Sequence, residues 1–330
     1  MSQAKLLAGA CALAVAAAGL VSVGAALAQD KPAGESAPLW AWPGNQPAKP
    51  ADKDKIDTLP GSSQKIPETA VKDRGAAVDW FPNGHPTMPT AVKGGVAGKF
   101  ACGYCHLPEG PGRTESADLA GMPADYLYRQ LLDMKNNVRT LMDPKYGPQG
   151  NMIVTAKAWP DADLRAASEY FAKLKYPAPN HVKVVEAAEV PAHRPNAFVY
   201  EFEKEGPKEA LGDRIIEGPD DFERFELRDW RVPFTAYVPV GAVARGAALA
   251  KGDSVKGLPA CDTCHGAGLR GGAVAPPIAG RYPTGVFRQL YAFKTGARNG
   301  LASGFMKPMV AGLSQKDMID LAAYVGSLKP

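Results

Sequence analysis

The chain has 330 residues, of which 45% are hydrophobic and 22% are charged, values that are ordinary for a globular protein of one to three domains. Its 35 glycines and 30 prolines indicate a large share of irregular chain. The formal net charge of +4 comes without a basic stripe, which argues against a nucleic-acid partner.

Residues 1–28 are typical of a secretory signal. Lys5 precedes an apolar run that extends from Leu6 to Leu27, and Ala26-Leu27-Ala28 forms an A-x-A cleavage site. We expect cleavage after Ala28 and a periplasmic location. The apolar run is nearly long enough to span a bilayer, so an uncleaved anchor helix is the alternative. Without such an anchor, we expect membrane contact only through a partner.

Residues 29–90 are rich in Pro, Lys, Asp and Gly and keep no helical or strand period, which predicts an extended arm. Four large aromatic residues stand out in this polar segment. These residues are Trp40, Trp42, Trp80 and Phe81. Their side chains either pin the arm onto its own protein or form a docking patch for a partner.

One five-residue pattern occurs twice, as Cys102-Gly103-Tyr104-Cys105-His106 and as Cys261-Asp262-Thr263-Cys264-His265. C-x-x-C-H is the attachment signature of c-type haem, because two thiols can bond the vinyl groups while the histidine binds the iron. A structural zinc site would need a close second pair of ligands, and a thioredoxin-like pair would not need the histidine. We therefore predict two covalently attached c-type haems, bound by Cys102, Cys105, His106, Cys261, Cys264 and His265.

The segments around the two motifs are copies of each other. Arg288-Gln289-Leu290 follows Arg129-Gln130-Leu131 at a distance of 159 residues, the same distance that separates the two motifs. Apolar spacing predicts a helix after Pro123, and a last helix of the first copy from Asp161 to Leu174. Residues 91–176 and 246–330 are therefore predicted to be two haem domains of one design.

Residues 177–245 belong to neither copy. Alternating or β-branched runs at 181–184, 198–203 and 234–238 predict strands, so we expect a small β-containing insert between the two haem domains.

The second axial ligand decides whether each iron is open or closed. In a small c-type domain this ligand comes from a loop before the last helix, and methionine is usual because its soft thioether favours reduced iron. Met152 and Met306 stand seven residues before Trp159 and Leu313, which precede the last helix of each copy. We predict these two methionines as iron ligands, and Met309 remains the alternative in the second domain.

The tandem motifs, the shared Arg-Gln-Leu and the run from Leu313 to Tyr324 resemble diheme cytochromes of the cytochrome c4 type. The resemblance implies a mainly α fold of two tandem class I cytochrome c domains, here with an extended N-terminal arm and a β-containing insert. It implies iron held by His106 and Met152 in one domain and by His265 and Met306 in the other. It also implies that a proline shortly after the motif helps to place a carbonyl that accepts a hydrogen bond from the ligand histidine. Pro276-Pro277-Ile278-Ala279-Gly280 matches this pattern, whereas the first domain has Ala117-Asp118-Leu119-Ala120-Gly121, without a proline.

The resemblance also implies a function: a periplasmic electron carrier, without catalytic residues, between a dehydrogenase or membrane donor and an oxidase or cytochrome acceptor. The arm and the insert would suit a dedicated dehydrogenase subunit. The alternative is a diheme enzyme such as a cytochrome c peroxidase, which needs an open iron. Two well-placed methionines argue against it, and a thiosulfate-oxidising enzyme with a cysteine ligand is disfavoured because the mature chain has no spare cysteine.

Overall fold

The computed structural model describes residues 37–47, 49–176, 181–253 and 256–330. The predicted leader, residues 1–28, lies outside the described residues. Within the described ranges, no helix combines the length and the apolar character that crossing a bilayer would need.

The arm carries more regular structure than its composition predicts. The rings of Trp40 and Trp42 lie 4.6 and 5.3 Å from those of Phe287 and Tyr291, so the aromatic residues pin this segment onto the second haem domain. The expectation of a purely extended arm is therefore corrected, because burial of its apolar side chains fixes local structure. Its elements are a 3-10 turn (Leu39–Ala41), an antiparallel pair of strands, β1 (Ile56–Thr58) and β2 (Lys65–Pro67), and α1 (Glu68–Val71).

The first haem domain is a group of short helices around a buried aromatic core. Leu127, Leu164 and Phe171 lie in that core with Trp159, as expected for helices with one apolar stripe. The helices predicted after Pro123 and from Asp161 are confirmed. The helices are α2 (Thr90–Lys93), α3 (Cys102–His106), α4 (Ala124–Lys135), α5 (Gly147–Ala158) and α6 (Asp161–Lys173).

The segment that contains Met152 is helical, not the loop that we expected. Gly147, Pro148 and Gly150 suggested irregular chain, but proline is well tolerated in the first turn of a helix, where its missing N–H has no partner to lose. The chain after Gly150 then continues as helix to Ala158.

The insert forms short strands that share a core with the second haem domain. The central strand of its three-stranded sheet is residues 234–238. It pairs in parallel with the strand that begins at Val182, with Val182 opposite Phe234, and antiparallel with the strand that begins at Ile216, with Ile216 opposite Tyr237. These side chains pack in the same apolar cluster as Phe287. The elements are β3 (Val182–Glu186), β4 (Glu189–Val190), β5 (His193–Asn196), β6 (Val199–Phe202), β7 (Glu209–Ala210), β8 (Ile216–Pro219), α7 (Phe222–Glu226) and β9 (Phe234–Val238).

The second haem domain repeats the helical design of the first. Its last helix begins with a capping box, in which Ser314 Oγ accepts from Asp317 N at 3.1 Å and Ser314 N donates to Asp317 Oδ2 at 2.8 Å. Gly246 lies in the first helix of this domain and lets the last helix pack closely against it, because a Cβ at position 246 would collide with the Asp320 carbonyl. The helices are α8 (Ala242–Ala250), α9 (Asp262–His265), a 3-10 turn (Ala267–Leu269), α10 (Pro283–Lys294), α11 (Ser303–Ala311) and α12 (Gln315–Ser327).

The packing of the arm yields a first prediction. Trp40→Ala should lower the free energy of unfolding by about 3–5 kcal/mol, because it removes a buried ring that contacts Phe287. Urea denaturation of the haem-loaded protein measures the change. Leu39→Ala is the matched control, since Leu39 is 82% exposed and should change stability by less than about 0.5 kcal/mol. Equal effects of the two substitutions would show that the arm does not depend on Trp40.

A second prediction concerns pH. The imidazole of His181 is packed among the rings of Phe234 and Tyr282, and burial lowers its pKa to about 4. The unfolded chain binds the same proton near pH 6.5, so it holds more protons than the folded state between these values. The free energy of unfolding should therefore fall between pH 7 and pH 4, by up to about 3 kcal/mol through this residue. Urea denaturation across that range should show a shallower slope for His181→Phe, and an unchanged slope would contradict the assignment.

Candidate haem centres

Both C-x-x-C-H motifs form short helices that end at the histidine, and the loops after them match in detail. Gly112 N donates to the His106 carbonyl at 3.1 Å, and Gly271 N donates to the His265 carbonyl at 2.7 Å. The residue that follows each histidine has a positive φ, which suits Gly266 better than its counterpart Leu107. The duplication seen in the sequence is thus also a duplication of backbone conformation.

Each motif histidine is oriented by a backbone carbonyl eleven residues further on. His106 Nδ1 lies 2.7 Å from the Ala117 oxygen, and His265 Nδ1 lies 2.8 Å from the Pro276 oxygen. The proton is therefore assigned to Nδ1, which leaves the Nε2 lone pair free for a metal. Ala117 supplies this acceptor as well as Pro276 does, so the first domain achieves the same orientation without the proline.

Burial keeps these groups in the forms that haem attachment needs. It lowers the pKa of both histidines by more than the carbonyl hydrogen bonds raise it, so both rings are neutral at pH 7. His106 Nε2 is buried and makes no hydrogen bond within the described residues. None of the four motif cysteines is paired in a disulfide bond. Neutral imidazole and unpaired thiols are what an iron ligand and two thioether bonds per site require.

Both motifs line one cavity of about 2020 Å³. That exceeds the roughly 300–1,000 Å³ of an ordinary small-molecule pocket, as two large planar cofactors would demand. Met152 and Met306 line the same cavity, and each stands eight residues before the residue that caps the last helix, Pro160 or Ser314. The predicted ligands of each iron are therefore brought to one cavity. Met142 and Met309 also line it.

An arginine–glutamine cluster joins the two domains. Arg139 donates to Gln130 Oε1 at 3.0 Å and to Gln289 Oε1 at 2.9 Å. Arg298 donates to the same two oxygens, at 2.7 and 3.1 Å respectively. The neighbouring backbones pair antiparallel, with Thr140 N donating to the Ala297 oxygen at 2.8 Å. Each member has its counterpart 159 residues away, so the cluster has an approximate twofold axis.

The cluster also fits the cofactor. Burial and the nearby Arg298 lower the pKa of Arg139 to about 9, so its guanidinium group remains charged at pH 7. The hydrogen-bond acceptors of the two arginines are the two glutamine amide oxygens and the hydroxyl of Tyr126, and the two arginines and two glutamines all line the cavity. Two positive groups facing the cavity are the residues that would hold haem propionate carboxylates. Sequence reasoning noticed the glutamines but missed the arginines, although the 159-residue repeat would have found them.

Comparison with known proteins agrees with this site. The family model "Cytochrome c" matches residues 243–329. Cytochrome c4 of Azotobacter vinelandii is 33% identical over 138 residues, covering 38% of this chain and 66% of that protein. Cytochrome c-554(547) of Halothiobacillus neapolitanus is 38% identical over 77 residues, covering 21% and 85%. The thiosulfate dehydrogenase electron acceptor of Thiomonas intermedia is 42% identical over 95 residues, covering 28% and 44%. The chain thus spans just under two thirds of the first of these relatives and less than half of the third.

The cluster predicts equal effects of two substitutions. Gln130→Leu and Gln289→Leu should each lower the free energy of unfolding by about 2 kcal/mol, because each removes an acceptor shared by two buried guanidinium groups. Urea denaturation of the haem-loaded variants measures this. Gln46→Leu, at an exposed glutamine, is the control. Clearly unequal effects of the two cluster variants would contradict the symmetric arrangement.

Proposed function

The chain belongs to the cytochrome c family, as a cytochrome c4-like protein with two covalently attached c-type haems, and we propose that it carries electrons between a dehydrogenase or membrane donor and an oxidase or cytochrome acceptor. The observation that carries this proposal is the matched placement of Met152 and Met306 in one cavity with His106 and His265. Bound haem iron supplies one-electron exchange. A histidine and a methionine on each iron leave no position for a substrate.

The side chains contribute position and electrostatics, not bond chemistry. The carbonyls of Ala117 and Pro276 hold the two histidine rings, and Arg139 and Arg298 place positive charge between the sites. Because both motifs line one cavity, electrons can pass from one domain to the other within the protein. The arrangement suits a carrier that holds one electron at each of its two sites.

The location and the donor are parts of the same proposal. Covalent haem attachment in bacteria takes place outside the cytoplasm, which agrees with a leader cleaved after Ala28 and a periplasmic carrier. The relative from Thiomonas intermedia is by its name an electron acceptor of a dehydrogenase, which supports a dehydrogenase as the donor here. This carrier would then serve as a dedicated subunit of that dehydrogenase.

The methionine ligands give the test of this proposal. Oxidised wild-type protein should show the near-infrared methionine-to-iron charge-transfer band at full strength for two haems. Met152→Ala and Met306→Ala should each remove half of that band, and each should lower one of the two reduction potentials, because a soft ligand is lost. Absorption spectra scaled to haem content and a redox titration measure both effects.

Met142→Ala and Met309→Ala are matched controls, because both methionines line the cavity without being assigned to iron. They should leave the band intact. Loss of the band in Met309→Ala instead of Met306→Ala would overturn the ligand assignment. Peroxide turnover by the wild-type protein would overturn the carrier function in favour of a diheme peroxidase.

A further inference from the structure

The two haem domains differ most in what covers them. Cys264 is exposed, whereas its counterpart Cys105 packs against an apolar cluster that includes Trp80 of the arm and Leu227 of the insert. Trp80 Nε1 donates to the Leu227 carbonyl at 2.6 Å, so arm and insert are joined over this motif. Nothing equivalent to the arm precedes the second motif in the sequence.

Tyr104, within the first motif, is held from the insert side. Arg228 Nη2 donates to the Tyr104 hydroxyl at 2.6 Å, and its guanidinium group lies 4.3 Å from the centre of the ring. The corresponding residue of the second motif is Thr263, which is exposed. The insert therefore closes the cysteine side of the first domain and leaves that of the second open.

The methionine side shows the same difference. Phe198 of the insert packs so closely on Gly147 that a Cβ there would approach the ring to 2.8 Å. Its ring also lies 5.8 Å from that of Tyr146. Gly147 stands 13 residues before Pro160, and Leu301 stands 13 residues before Ser314, the residues that cap the two last helices. Leu301 is therefore the counterpart of Gly147, and it is 99% exposed. The first domain thus has a glycine where the insert sits, and the second has an uncovered leucine.

A third pair of positions agrees. Val274 is 79% exposed, and its counterpart in the first domain is Glu115, whose side chain is 7% exposed and ion-paired with Arg113 at 2.9 Å. We define the open face as residues 271–279 and 300–306 of the second domain. It contains Phe305, which is 80% exposed, and it has no charged residue, although Arg270 and Lys307 stand at its margins.

We infer that the open face is the surface through which this protein exchanges electrons with its partners, and that the arm and the insert close the first domain to them. This inference rests on the proposed function. One electron per encounter leaves a reduced carrier protein and enters the second domain, or leaves the second domain for an oxidised one, with no bond or proton changed. The first domain then gains or loses its electron only through the second.

The chemistry of the face specifies its occupant. Residues of both segments, including Val274 and Phe305, line the cavity that holds the second motif, so a protein seated there is next to that site. A charged partner group buried against the face would lose its hydration without meeting a counter-ion, which is unfavourable. The face therefore fits a one-electron carrier protein whose own cofactor edge is ringed by uncharged, apolar side chains. Such docking is weak and transient, and salt affects it little.

The test uses the haem-loaded protein and, as probe, a reduced type 1 copper protein whose copper edge is surrounded by uncharged apolar residues. Stopped-flow reduction gives the second-order rate constant. Phe305→Lys should lower that constant about tenfold or more for both haems, because a charge enters an apolar contact. Raising the salt from about 10 to 500 mM should change the wild-type constant less than about threefold. Val154→Lys is the matched control in the first domain, since Val154 is 58% exposed on α5, and it should leave the constant unchanged.

A second readout does not depend on electron transfer. In titrations with the redox-inert zinc form of the copper protein, amide NMR shifts should move in residues 271–279 and 300–306 and stay fixed around Tyr104 and Arg228. Shifts around Tyr104, or an unaffected rate in Phe305→Lys, would overturn the inference. Sedimentation of the wild type as a dimer that Phe305→Lys dissociates would assign the face to a second copy of the chain and would also overturn it. The near-infrared band is measured without a partner, so failure of the docking inference is distinguishable from failure of the carrier function.

Discussion

The hydrogen bond from each motif histidine to a carbonyl eleven residues later is the constraint on which the haem sites depend. It fixes the tautomer and the plane of the ring, and so decides that Nε2 faces the cavity. To deliver the carbonyl, the chain must turn back on itself directly after the histidine, which accounts for the positive φ at Leu107 and Gly266 and for the matching contacts of Gly112 and Gly271.

Duplication of that unit also creates the junction between the domains. Two copies related by an approximate twofold axis bring like residues together, and here two arginines meet. Like charges repel, but each glutamine oxygen accepts from both guanidinium groups and the Asp133 carboxylate lies near them. Anionic groups that enter the cavity beside them would stabilise the pair further. An isolated domain has no such cluster. The pairing of the sites is therefore a property of the duplication and not of either domain alone.

Much of the haem chemistry was predictable from the sequence because it depends on local spacing. The motifs, the helix from Ala124 and the equal placement of Met152 and Met306 follow from positions along the chain. The helix at Gly147–Ala158 was missed because Gly and Pro are ambiguous at a helix start. Leu227, Phe198 and Trp80 could not be related to the motifs at all, since their contacts span long separations in sequence that no local pattern encodes.

These long-range contacts are what make two copies of one design unequal. Gly147 and Leu301 occupy corresponding positions, and a single side chain decides whether the insert can sit there, because a Cβ at 147 would meet the Phe198 ring. The same insert shares its core with the second domain, where Phe234 and Phe287 lie in one cluster. It is thus built on one domain and covers the other. Covering one member of a symmetric pair would confine exchange with partner proteins to the other member, so that the contacts of the insert, and not the two motifs themselves, distinguish the two domains.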